Sequence, residues 1–298
     1  MSAILKHHRI AVCPQSENEN KDIKIYEVHK EKPTIVISNA HNDTISNLFE
    51  FDHDILVSFS SGEHLIKFWS IRKYDYKLLH TLNSIDINRV YRLPNKLVTL
   101  NYKNDDSRES TLHLWNVHPF ENKWEKELKF KGNVYDILEV KEKELIIVPY
   151  IDVTPENKYL RDDGVLLINS STFQIVSNIK HDDMCFNYPL LQFDSNRVLM
   201  GGGKIVTIDL EKKTIESISG GDCYCFGKVN DEIVIYGGIR KIYFLDVNKK
   251  KVGCSTKEEA GRCLETIVMI NDKEFYAIDE YSHCVKKYLI KEIDLNKY

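Results

Sequence analysis

Glu63-His64-Leu65-Ile66-Lys67-Phe68-Trp69-Ser70-Ile71 has a near copy later in the chain, Glu109-Ser110-Thr111-Leu112-His113-Leu114-Trp115-Asn116-Val117. In both, an aliphatic residue stands three places before a Trp. Working outward with that spacing finds further copies ending at Tyr26, Ile168, Ile208, Leu245 and Tyr288, so the aliphatic position reads Ile23, Ile66, Leu112, Val165, Ile205, Ile242 and Val285. The seven anchors lie 43, 46, 53, 40, 37 and 43 residues apart. A repeat of about 40 to 45 residues is the period of a four-stranded propeller blade. Within each step, short apolar stretches alternate with polar turns, the rhythm of an antiparallel meander.

One such sheet cannot cover both of its apolar faces, and a ring of sheets solves this by giving each a neighbour on either side. The expected fold is all-β: a seven-bladed β-propeller of four-stranded antiparallel blades, one domain over 1–298. Blades are expected near 1–40, 41–84, 85–132, 133–181, 182–220, 221–260 and 261–298. The stretch 3–6 would either complete blade one or pair into blade seven; the fourth blade's first strand is expected over 134–140, and a last strand within 292–295. Gly201, Gly202, Gly203, Gly237 and Gly238 end second strands, where turns ask for positive φ.

The chain has 42% hydrophobic and 29% charged residues and a net charge of −4 from 41 basic and 45 acidic side chains. Without a long basic block it lacks the footprint of a nucleic-acid binder, so no nucleic acid is expected as a direct ligand. Seven cysteines without paired spacing, and an N-terminus charged too early for a signal peptide, point to a reducing, cytoplasmic setting. No apolar run is long enough to span a membrane, so no membrane insertion is expected.

Glu63 to Ser70 and Glu109 to Asn116 resemble the third-strand signature of WD-repeat propellers: an acidic turn residue, a small residue, an aliphatic, two alternating residues and Trp-Asp. By period the resemblance covers the whole chain; by motif it covers two blades. Ala40-His41 looks like that family's Gly-His pair, and Lys180-His181 is a fainter copy. The resemblance implies structural roles for His41, Glu63, Trp69, Glu109 and Trp115, with His41 bonding Glu63 and supporting Trp69. The Asp after the anchor survives as Asp209 and Asp246 but becomes Glu27, Ser70, Asn116, Asn169 and Leu289 elsewhere, so plain apolar packing is expected in most blades. The kelch family is the rival, on the strength of Gly202-Gly203 and Gly237-Gly238, but it expects a later Trp and none follows Trp124.

Catalysis has no visible seat: no Gly-x-Ser-x-Gly, His-Glu-x-x-His or phosphate loop occurs. Cys223-Tyr224-Cys225 puts two thiols on one side of a strand, yet further metal ligands are lacking and two small buried residues are the better reading. His7-His8 would face opposite ways. Asp105-Asp106, Asp152 and Asp162-Asp163 lack the alternate spacing of a calcium cage. No cofactor or metal is expected.

Two insertions between second and third strands, 103–108 and 151–163, account for the longest steps. In the resembled family such loops share a face with the blade-to-blade connections, so neighbouring blades three and four would raise them side by side; loops on a rigid scaffold are where recognition concentrates. The candidate partner-binding residues are Lys103, Asp105, Arg108, Tyr150, Tyr159 and Arg161, with Arg89, Tyr135 and Arg262 where first strands begin. The expectation is a non-enzymatic scaffold holding a partner protein or peptide within a larger assembly. The alternative is a propeller enzyme or small-ligand binder using the central channel.

Overall fold

The computed structural model describes residues 2–5, 9–13, 21–27, 30, 32–72, 74–83, 86–94, 96–103, 109–117, 123–151, 163–181, 189–239, 241–254, 264–271, 273–279 and 285–290. Apart from one 3-10 turn at Lys141–Lys143, the regular structure there is all strand, arranged as the blades of a seven-bladed β-propeller. Contacts divide the chain into two compact units, Met1–Gly132 and Asn133–Tyr298.

The first unit holds three four-stranded antiparallel meanders. The first is β1 (Ser2–Leu5), β2 (Arg9–Val12), β3 (Ile23–Glu27) and β4 (Ile35–Ile37); the second is β5 (Asn47–Asp52), β6 (Ile55–Ser60), β7 (Leu65–Ser70) and β8 (Lys77–Asn83). The third is β9 (Arg89–Leu93), β10 (Lys96–Tyr102), β11 (Glu109–Asn116) and β12 (Trp124–Lys131). β1 pairs with β2, so of the two places open to the N-terminal strand it takes the first sheet.

The second unit starts with β13 (Asn133–Val134) and β14 (Leu138–Val140), both paired to β15 (Leu145–Ile151), followed by β16 (Gly164–Asn169) and β17 (Ile175–Lys180). The single strand expected over 134–140 is thus broken. Asp136 turns its carboxylate onto the backbone, accepting from Ile137 N at 2.8 Å and Leu190 N at 3.0 Å. The next meanders are β18 (Leu190–Gln192), β19 (Arg197–Met200), β20 (Gly202–Asp209) and β21 (Thr214–Cys223), then β22 (Cys225–Lys228), β23 (Ile233–Gly237), β24 (Ile242–Asp246) and β25 (Lys251–Cys254). The last is β26 (Leu264–Asn271), β27 (Glu274–Asp279) and β28 (Val285–Leu289). The strand expected within 292–295 lies outside the described residues.

Burial grades outward along each meander. The second strands β6 and β15 are buried along almost their whole length and β10 over its four residues 97–100, whereas the fourth strands β8 and β12 are mostly exposed. Each apolar cluster is shared by consecutive sheets: Ile25, Ile37, Leu56 and Trp69 pack between the first and second, Phe59, Phe68, Leu97 and Trp115 between the second and third. In the second unit, Ile147, Leu167, Val198 and Ile208 do the same for its first pair of sheets, Leu199, Ile205, Val234 and Leu245 for the next, and Ile242, Phe244, Ile267 and Phe275 for the last. Buried Arg9 ties the first sheet to the second, donating to the Ile71 carbonyl at 2.7 Å and to Asp54 at 2.6 Å.

A β-bulge recurs immediately before the anchor in three sheets, at Phe68/Trp69, Leu114/Trp115 and Leu167/Ile168. Each inserts one extra fourth-strand residue, Leu79, Glu125 and Val176 respectively, and bends the outer edge.

Candidate protein-binding ends of the sheets

In a four-stranded meander, the connection from second to third strand and the connections into and out of the sheet leave from the same end. Between the described strands, every separation of nine residues or more is of these kinds: 13–22 and 38–46 in the first unit, 152–163, 181–189 and 255–263 in the second. At the opposite ends, none between described strands exceeds the seven residues of 28–34 and 117–123. In the sequence the insertions 103–108 and 151–163 stand out, whereas the others show only as polar stretches between strands.

Beneath the 38–46 connection lies a directed hydrogen-bond chain. Trp69 Nε1–H donates to Ser58 Oγ at 2.8 Å, Ser58 Oγ lies 2.8 Å from His41 Nε2, and His41 Nδ1 lies 2.7 Å from Glu63 Oε2. With Trp69 an obligate donor and Glu63 an acceptor, the chain is satisfied when neutral His41 carries its proton on Nδ1 and accepts from the Ser58 hydroxyl. Burial is the main cause holding the His41 pKa below its ordinary value, helped by the Lys67 charge and opposed by Glu63. Burial also works against the Glu63 carboxylate, but hydrogen bonds from Asn42 and His41 outweigh it and leave its pKa below the usual carboxylate range. Asn42 donates to the second Glu63 oxygen at 2.8 Å, and Lys67 reaches the Ala40 carbonyl at 2.6 Å, so the loop is fastened to the sheet at several points.

The third sheet keeps only the Trp end of this arrangement. Trp115, 1% exposed, donates to buried Thr99 at 2.8 Å. Glu109 marks the return of the 103–108 connection, where Lys103 N–H donates to its carbonyl at 3.0 Å and the side chains lie 3.7 Å apart. Lys103 is exposed, Arg89 is half-buried where β9 begins, and Asp105 and Arg108 lie outside the described residues.

At the base of 152–163, Tyr150 is 4% exposed, its hydroxyl 3.0 Å from Asn178 Nδ2 and 2.8 Å from Lys180 Nζ. Its ring crosses Gly164, where a Cβ would come within 3.0 Å of it. Tyr150, at the end of β15, is thus held by side chains of β17. Tyr135 is half-buried against the cluster of Ile147 and Leu167. Tyr159, Arg161 and Arg262 lie outside the described residues, as do His7, His8, Asp106, Asp152 and Asp162. Cys223 and Cys225 are buried free thiols, the Cys223 pKa raised chiefly by burial, and no metal-holding group of His, Cys, Asp or Glu occurs among the described residues.

The glycines need a correction. Of the five expected to supply positive φ, only Gly202 does, with φ 128°. Gly201, Gly237 and Gly238 serve close approach instead: a Cβ on Gly201 would lie 2.8 Å from Cys223 Sγ, on Gly237 2.7 Å from Cys225 Sγ, and on Gly238 2.9 Å from the Asp222 carbonyl. The chain leaving β21 for β22 crosses directly over these turns, and only a bare backbone lets it pass. No helix among the described residues is long and apolar enough to cross a membrane.

No protein-family model and no curated protein matches the chain. Among solved structures, a chain in the crystal structure of the mitotic checkpoint complex is similar at a TM-score of 0.72 and 8% identity, covering 97% of this chain and 86% of that one. At that identity the likeness shows the fold, a seven-bladed β-propeller.

Proposed function

We propose that the chain is a degenerate WD-type propeller acting as a non-enzymatic scaffold, which holds a partner protein or peptide with the loop-bearing ends of its sheets. The observation that carries this reading is the asymmetry of the connections: the long ones gather at one end of the sheets while the other end is closed by short turns. Long loops anchored on rigid strands give a surface that can vary without loosening the core. The supports at their bases, His41 with Glu63 and Tyr150 with Lys180, fix where the loops leave the frame. The similar solved chain belongs to a multiprotein complex, in keeping with this reading.

Proximity labelling in the source cell would identify the partner. Replacing 152–162 or 255–263 with Gly-Ser linkers should then reduce its recovery at least in one case, with thermal stability unchanged. The same replacement in the short turn 170–174 should leave recovery intact. A partner retained by both folded loop variants would overturn the assignment.

A further inference from the structure

We infer that the outer edge of the second sheet is a separate docking surface for a short apolar segment of another protein, flanked by acidic side chains. Fourth strands end their sheets, and β12 shows how such an edge is kept solitary: apart from Trp124 its exposed positions are charged, Glu125, Glu127, Lys129 and Lys131, with Lys96 and Glu125 paired at 2.9 Å. β8 and its approach do the reverse. Tyr74 is 69% exposed, and Tyr76, Leu78 and Leu79 follow it, all exposed. Large apolar side chains contiguous at the surface mark interaction sites.

The charges around this stretch choose the occupant. Arg72 is exposed just before it and Lys77 within it, between Tyr76 and Leu78, and neither has an ion-pair partner among the described residues. Lys30, its Nζ 5.6 Å from the Tyr74 ring centre, is paired with Glu27 at 2.9 Å and adds no net charge. Only Asp75 opposes them within the stretch, and its carboxylate accepts from Tyr76 N–H at 2.8 Å. Two uncommitted cations, Arg72 and Lys77, against the single carboxylate of Asp75, on a chain of net charge −4, favour an acidic partner. A second copy fits poorly: it would set like charges together, and the bulge at Leu79 interrupts the ladder that edge-to-edge pairing would extend.

The test begins with a display library of random linear peptides selected against the full chain; an enriched peptide is then labelled and titrated by fluorescence anisotropy. Enriched sequences should join aromatic or aliphatic residues to Asp or Glu, and their binding should weaken with salt. Binding should fall about tenfold in Arg72→Glu/Lys77→Glu and in Leu78→Lys. Both variants are exposed and should keep the wild-type melting temperature; Tyr74→Ser serves if one does not. Replacing 152–162 should leave this binding unchanged, which separates it from the loop-bearing ends. No enrichment, sequences without acids, affinity indifferent to these variants, or a dimer lost in Leu78→Lys would overturn the proposal.

Discussion

At the scale of single residues, the second and third sheets show how much a Trp anchor depends on what its indole N–H meets. Truncating Trp69 or Trp115 to Ala should cost about 3 to 5 kcal/mol, through lost burial and a cavity, read from denaturant midpoints. Ser58→Ala should cost about 1 to 3 kcal/mol, because it strands the Trp69 donor and the His41 acceptor together. Protonation attacks the same chain. His41 is held neutral in the fold, its pKa below the unfolded value of about 6.5, so the unfolded chain takes up the proton first and stability declines as pH falls through that value. Glu63, with its pKa lowered, contributes stability that is lost at still lower pH. The melting temperature should therefore drop between about pH 7.5 and about pH 5.5, with a smaller drop in His41→Asn. The partnership of His41, Glu63 and Trp69 was legible through the resemblance; Ser58, which joins them, was not, because a Ser inside an apolar second strand has no distinguishing pattern.

Among the elements, turns and edges carry information that residue types alone conceal. Asn169 and Asp209, one place after their anchors, fold back to accept N–H groups of the following turn: Thr172 at 2.7 Å, and Lys212 at 2.9 Å. The bond from Lys212 is the chief reason the Asp209 pKa lies below the ordinary carboxylate value. That gives the position a local use even where the buried network is missing. The glycine turns behave differently. Gly201→Ala should cost about 1 to 3 kcal/mol from overpacking, and less in a Cys223→Ala background that vacates part of the space. The need for glycine was visible in the sequence; the reason was not, since Pro189 and Cys223 arrive from other segments. The bulges left a fainter trace: adjacent apolar pairs, Leu78-Leu79 and Ile175-Val176, break the alternation of a surface strand where an extra residue is inserted.

For the molecule as a whole, stability comes from faces that consecutive sheets lend one another. Ending the chain after residue 260 would remove β26 to β28 and bare the side of the sixth sheet that carries Ile235, Ile242 and Phe244. Such a truncation should bind a hydrophobic dye and lose the cooperative transition of the full chain, whereas a sharp, unshifted melt would show the clusters to be independent. The period of the anchors disclosed this architecture because every blade repeats the same problem of covering two sides. The loops stayed obscure because nothing repeats in them. One feature of the topology reaches into biogenesis: since β1 joins its own neighbour β2, the first sheet is built, among the described residues, from sequence-adjacent strands alone. A nascent chain leaving the ribosome can complete that sheet while the last is still untranslated. Synthesis itself can thus set the sequence of assembly within each unit, a new sheet settling against the one made just before it.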